Sequence, residues 1–282
     1  MTRLSCSAKD KYDLCPYKYY LHYEMRYRSS LQSSALCFGS AIDVSLNWML
    51  EGNDDFHSVF DSEWSKYEGQ NENIEYYKSD LDEALLTDTE RNLPIAMQNF
   101  VSLRRKGHLL LESYNNNVLP RIKEVVSVQG EVNIVGYDSD GGVTQDSIYG
   151  KLDLIAMIEL DDGSVHQTLL DNKTTSKPYA KNSVLKNHQL ALYASGFPDI
   201  EWFGYATMNK KTFGTQLILD KIPEIRKEEV LSGFVDTLTK IKNLEFERNK
   251  KSCYAFGRRC EFYSHCHNDF FGKDIYIKTE EN

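Results

Sequence analysis

The chain has 282 residues, 41% of them hydrophobic and 12% aromatic, with a formal net charge of −9. That is enough apolar material for one large α/β domain or two small ones. Sixteen glycines and six prolines exclude collagen-like and low-complexity classes, no run of 18 apolar residues offers a membrane span, and the N-terminus has no apolar signal core. These features predict a soluble protein of the cytoplasm, without a membrane partner.

In chain order, residues 5–28 read as a helix opened by Ser5 and Ser7, with Tyr12, Tyr19 and Tyr23 at aromatic spacing. Residues 38–50 read as a second helix. From Glu51 to Glu90 there are 13 acidic and 2 basic residues, so the remainder of the chain sums to about +2. This segment shows no strand signal and, together with the residues up to about 118, predicts a helical insertion. A third helix is expected over 94–116. The texture then turns β-branched and alternating over 125–137, 147–160 and 165–171, with turn signals at Asp138–Gly142 and Asp161–Ser164. That pattern predicts an antiparallel meander. A helix over 182–194, strands over 202–208 and 214–219, and a long helix over 224–248 complete the reading. The expectation is a single α/β domain, 1–282, with helical decoration.

Three basic runs break the acidic average: Arg104-Arg105-Lys106, Asn172 to Pro198 with Lys173, Lys177, Lys181 and Lys186, and Arg248 to Arg259. The last two contain no acid. Fields fade over roughly 8 Å at physiological salt, so local charge governs phosphate contact. Each run alone is also what a solvated helix face looks like.

Six cysteines are present, and Cys253, Cys260 and Cys266 fall within 14 residues. In a reducing compartment such clustering points to metal, against the alternative of buried free thiols. Cys15, in Cys15-Pro16, is the best candidate for a fourth ligand. Four thiolates suit a [4Fe–4S] cluster or zinc, and His265 and His267 leave a mixed zinc site open. Cys6 and Cys37 match no motif and read as buried thiols.

The chemistry concentrates in Gly150-x2-Asp153 and, with seventeen residues between, Asp171-Asn172-Lys173. Period-two geometry puts Asp171 and Lys173 on one face of a strand, and a hairpin can bring Asp153 beside them. Two carboxylates with the Asn172 carbonyl are hard oxygen ligands suited to Mg²⁺ or Mn²⁺. A lysine beside such an ion can orient a water or stabilise developing charge. Gln189 and Tyr193, at i and i+4, share one helix face where they could contact a phosphate or position a ligand. Taken alone, a core tyrosine beside a surface glutamine is the better reading of that pair.

Taken in order, Ser5-x-Ser7-x4-Tyr12-x2-Cys15-Pro16-x2-Tyr19, Gly39-x3-Asp43, Gly150-x2-Asp153, Asp171-x-Lys173 and Gln189-x3-Tyr193 resemble the RecB-like nucleases of the PD-(D/E)XK superfamily. The split cysteine set is similar to the iron–sulfur branch of that family. The resemblance implies a restriction-endonuclease-like core, a mixed sheet flanked by helices. It implies a metal-dependent DNA nuclease, most simply an exonuclease on single-stranded DNA or DNA ends, serving recombination, repair or phage DNA metabolism. Asp153 and Asp171 would be metal ligands with the Asn172 carbonyl, Lys173 the catalytic lysine, and Gln189 and Tyr193 the helix motif. Cys15, Cys253, Cys260 and Cys266 would hold a [4Fe–4S] cluster. A homo-oligomer or a recombination-protein partner is compatible with this reading. Two departures stand out. Asp43 occupies the usual histidine position, where it could serve as a further metal ligand. The first tail gap is six residues where Cys-x2-Cys is common, which keeps zinc open. The competing readings are a DNA-binding recombination component with weak or no cleavage, and a zinc-stapled interaction module.

Overall fold

The computed structural model describes residues 3–70, 73–137, 143–255, 259–267 and 276–278. The turn expected over 138–142, Glu72 of the acidic segment and Arg258 of the third basic run lie outside them. The chain resolves into two compact units: Met1–Leu31 with Asn133–Gly150 and Glu228–Asn282, and Gln32–Val132 with Lys151–Lys227.

The first unit opens with β1 (Arg3–Ser5) and α1 (Cys6–Leu14), whose first turn is capped by Ser5 Oγ accepting from the Ala8 N–H at 3.2 Å. The single helix expected over 5–28 does not form. A residue before proline is driven out of the α region, and Cys15 is extended (φ −163°, ψ 109°). The helix restarts at Pro16 as α2 (Pro16–Tyr19), passes through a π turn at Tyr20–Glu24, and gives way to β2 (Tyr27–Ser29).

The second unit begins with β3 (Gln32–Ser33), α3 (Ser34–Leu50) and α4 (Phe56–Ser65). The acidic segment, read as free of strands, contains β4 (Ile74–Glu75), paired in parallel with β3. Buried Asp80 anchors this segment by accepting from Ser34 Oγ at 2.5 Å and from the Tyr77 N–H at 2.8 Å. Then come α5 (Ile95–Asn117) and β5 (Ile122–Val128).

The meander differs from expectation in one respect. Residues 125–137 and 147–160 each split into two strands. They form β5 and β6 (Glu131–Tyr137), then β7 (Val143–Lys151) and β8 (Leu154–Glu159). Gln129 takes a left-handed φ of 55° at the first break. The breaks lock together, Gln129 N–H donating to the Asp153 carbonyl (3.1 Å) and Leu152 N–H to the Gly130 carbonyl (2.7 Å). As a result β7 and β6 join β1 in a three-stranded sheet, while β5 and β8 join another.

That second sheet is completed by β9 (Val165–Thr175), β10 (Trp202–Asn209) and β11 (Thr215–Lys221), in the order β11-β10-β9-β8-β5. Only β9–β10 is parallel, so the chain needs a crossover there, supplied by α6 (Ser183–Lys186) and α7 (His188–Gly196). The one helix expected over 182–194 breaks at Asn187, whose side chain caps α7 by accepting from Leu190 N–H. The sheet is therefore mixed, with helices packed on it: Phe38, Trp64, Phe100, Leu111 and Tyr114 share a buried cluster with Ala206 and Met208.

The chain ends in α8 (Glu224–Lys242), shorter than the helix read to 248 because Leu244 turns left-handed at φ 59°. It is followed by α9 (Tyr263–His267) and β12 (Tyr276–Lys278), which pairs with β2. In the first unit, Tyr12 donates to the Glu245 carbonyl (2.6 Å), Asn249 Nδ2 donates to the Leu14 carbonyl (2.9 Å), and Glu261 pairs with Lys18 (3.2 Å). These contacts hold the tail against the N-terminal helices. Among the described residues no helix is long and apolar enough to cross a membrane.

Gly107 on α5 faces the Phe60 ring of α4, and an added Cβ would lie 2.0 Å from a ring carbon. Gly107→Ala is expected to destabilise the protein by about 1–3 kcal/mol through overpacking. A lowered thermal midpoint, partly restored by adding Phe60→Leu, checks it.

Candidate active site

All five carboxylate-site positions fall within the second unit. Lys173 Nζ lies 2.7 Å from Asp171 Oδ2, as the shared face of β9 requires. Asn172 points the other way. Its backbone N–H donates to Asp153 Oδ2 at 2.7 Å, and its Oδ1 accepts from the Tyr114 hydroxyl at 3.3 Å. Asp153 sits at the Leu152–Asp153 break, so the strand's interruption is what delivers its carboxyl to β9. The carboxyls of Asp153 and Asp171 lie close enough to share a hydrogen bond.

Asp171 is only 1% exposed. Burial raises its carboxyl against the pull of the Lys173 ammonium. Burial, and then the charge of Asp171, push Asp153 up to about 7. Burial works against the charge on Lys173, but Asp171 outweighs it and holds the ammonium above the ordinary lysine value.

Asp43 reaches the same cleft from α3. Gln129 Nε2 donates to both its oxygens, at 3.3 and 3.1 Å. Burial raises the Asp43 carboxyl, and Gln129 and the charges of Lys151 and Lys173 oppose it. The cleft, about 420 Å³, is lined by Asp43, Asp153, Asn172 and Lys173 together with Leu36 and Gly39 of α3.

Gln189 and Tyr193 do not line this cleft. Gln189 Nε2 lies 3.4 Å from Asp171 Oδ1 and 2.8 Å from the Tyr193 oxygen. The buried Tyr193 hydroxyl donates to the Lys151 carbonyl at 2.9 Å. In this geometry the pair orients Asp171 and ties α7 to the end of β7. Sequence reasoning missed Gln129 and Tyr114, the groups that hold Asp43 and Asn172. Gln129-Gly130 was the one available signal, a turn-prone pair inside a β-rich run.

The donor chemistry fits a hard divalent cation. The buried carboxyl of Asp171 and the half-buried one of Asp153 face each other, and the second negative charge lacks compensation without a further cation. As the side chains stand, among the described residues no group of three or more His, Cys, Asp or Glu is arranged to hold a metal ion.

The cysteines expected to act together also share a place. Cys15, Cys253, Cys260 and Cys266 line one cavity of about 130 Å³ in the first unit. Cys15 reaches it because the Pro16 break leaves it extended, with its Sγ accepting from the Asn249 N–H at 3.3 Å. Cys260 N–H donates to the Cys253 carbonyl (2.7 Å), closing the tail on itself. All four are free thiols, and burial, followed by the neighbouring sulfurs of Cys260, Cys15 and Cys253, pushes Cys266 up to about 11 against Arg248. Cys6 and Cys37 are buried, as their lack of a motif suggested.

Residues 3–267 match the PD-(D/E)XK nuclease superfamily, and the chain belongs to it. This is a superfamily of nucleases, and the mixed α/β fold described above agrees with it. Among solved structures the chain is similar to one described as the crystal structure of SSO0001, at 17% identity and a TM-score of 0.30. The alignment covers 50% of this chain and 59% of that one. No curated protein matches the chain.

The raised carboxyls set a pH dependence. Folded Asp153 keeps its proton to about pH 7, whereas an unfolded aspartate releases it near ~3.9. The metal-free folded state therefore binds more protons across that interval and loses stability as pH rises through it. In EDTA the contribution of Asp153 to the thermal midpoint is expected to fall between about pH 4 and 7, while that of His22, whose imidazole burial depresses to about 4, rises. Asp153→Asn, which keeps an acceptor for Asn172 and leaves Asp171 free to ionise beside Lys173, should flatten the fall. An unchanged slope would refute the assignment.

Proposed function

We propose that the chain is a metal-dependent deoxyribonuclease of the RecB-like kind, cutting phosphodiester bonds of single-stranded DNA or DNA ends. The observation that carries this reading is the convergence of Asp153, Asp171 and Lys173 at a cleft beneath α3, which Asp153 and Lys173 line while Asp171 lies buried behind Lys173. Asp153, Asp171 and the Asn172 carbonyl would hold Mg²⁺ or Mn²⁺, with Asp43 as a further carboxylate. Such an ion supplies Lewis-acid polarisation of the phosphate and a lowered pKa for attacking water.

The chain's own groups do the remaining work. Lys173, held cationic by Asp171, stabilises the negative charge that develops on the phosphate oxygens. Gln189 fixes the rotamer of Asp171 from behind, and Tyr193 anchors Gln189. Gln129 holds Asp43 towards the cleft. In this reading residues 1–282 act as one nuclease module, with 51–118 an elaboration and 253–266 a cofactor-binding segment.

The test is degradation of end-labelled single- and double-stranded DNA with Mg²⁺, Mn²⁺ or EDTA. Cleavage should require metal, and Asp171→Ala and Lys173→Ala should each lower it by ~100-fold or more. A metal-loaded wild type that binds DNA and never cuts it overturns the proposal.

The shared cavity of four thiols supports a second cofactor, a structural [4Fe–4S] cluster. Thiolate binding to the cluster would offset the burial that raises the thiols of Cys260 and Cys266 in its absence. Protein purified without oxygen should carry about four iron and four sulfide per chain. Cys266→Ser should lose the iron and lower the thermal midpoint. One bound zinc per chain instead makes the site a zinc staple, and neither metal makes the cysteines plain buried thiols.

A further inference from the structure

We infer that the first unit carries a binding surface for single-stranded nucleic acid on the rim of the cysteine cavity, with Tyr254 as its stacking platform. For its choice of ligand the inference rests on the reading of the chain as a DNA-cutting enzyme. Tyr254 is 62% exposed, so the fold gains little from its ring. It is nevertheless held: it packs on Tyr263 at 5.5 Å, and Tyr263 in turn stacks on His267 at 4.1 Å. The Arg259 guanidinium sits 4.7 Å over the Tyr263 ring. Arg248, which also lines the cavity, lies 4.6 Å over Tyr17, which stacks on Tyr20. Cations and aromatic rings therefore gather about one cavity, where Arg248, Lys250, Tyr263 and His267 stand among the four cysteines.

The charge is uncompensated where it matters. Lys250 and Lys251 are exposed, and among the described residues neither enters an ion pair. Glu261, the acid that follows Arg259, is taken up by Lys11 and Lys18. Glu245 and Glu247 precede the run, on a depression that they line with Asp13. A phosphate chain is attracted to such a rim, and an unstacked base has a π-face for an exposed phenol ring. Duplex bases are already stacked and offer no such face. The surface thus selects single strands over duplex.

The experiment measures binding of a labelled oligothymidylate and of an equal-length duplex by fluorescence anisotropy, in EDTA so that no cleavage intervenes. Tyr254→Ala should weaken single-strand binding about tenfold while Tyr254→Phe retains it, because stacking needs the ring and not the hydroxyl. The double variant Lys250→Gln/Lys251→Gln should reduce the slope of log K against log salt by about 1.4. Unchanged binding by Tyr254→Ala, an equal loss in Tyr254→Phe, or an equal loss for duplex each overturns the inference. Cleavage with Mg²⁺ is scored separately. A protein that binds single strands through Tyr254 yet never cuts defeats the nuclease reading and leaves this surface standing. One that cuts while its binding ignores Tyr254 defeats the surface alone.

Discussion

Two carboxyls and one ammonium, set where water cannot reach all of them, govern the second unit. Asp153 and Asp171 face each other at the junction of β8 and β9, and Lys173 can neutralise only one of them. In a poorly hydrated pocket the second negative charge must be met by a proton or by another cation. Burial raises both carboxyls, which favours the proton in the metal-free chain. The surrounding contacts supply acceptable geometry for either state: Asn172 N–H holds Asp153 Oδ2, and Gln189 stands behind Asp171. A site in which binding a cation removes a shared proton is coupled to pH through its own architecture.

That arrangement depends on interruptions more than on regular elements. Asp153 is delivered because residues 147–160 do not run as one strand, and Cys15 because residues 5–28 do not run as one helix. In both places the backbone leaves the regular conformation at a residue whose side chain matters. The cause differs. Pro16 forbids α geometry at Cys15 through local sterics. The β8 break is set by a non-local lock, with Gln129 and Gly130 bonding to the Asp153 and Leu152 peptides.

This difference explains what could be read beforehand. Asp171 and Lys173 were legible because a strand's period of two is a local rule, and the grouping of the tail cysteines because three thiols in a short span are rarely accidental. The Cys15 break was equally local, written in the following proline, and the aromatic spacing across it hid the signal. The roles of Gln129 and Tyr114 were not legible, since each acts on a residue 58 to 86 positions away and neither carries a motif. The splitting of the meander between two sheets belongs to the same class: alternation marks strands but says nothing of which sheet each half enters. The short β4 strand escaped because acidic composition outweighed two residues of pairing with β3.

Two helical glycines show how packing and function make different demands on one residue type. Gly107 is imposed by the core, since any side chain there would occupy the Phe60 ring. Gly39 has no such reason: a Cβ built on it meets nothing within 4 Å, and a glycine inside a helix is worth roughly 1 kcal/mol less than alanine. The space it leaves opens on the cleft, in line with Leu36, which is 74% exposed, and Asp43 one turn further on. The helix therefore gives up stability on the face that looks at Asp153 and Lys173, and nothing inside the folded chain is gained in exchange. A bare backbone beside a cationic and carboxylate pocket is what close passage of a ligand along α3 requires. The stretch from Leu36 to Asp43 thus forms part of the wall of the cleft that Asp153 and Lys173 also line, and its bare position at Gly39 leaves that wall open.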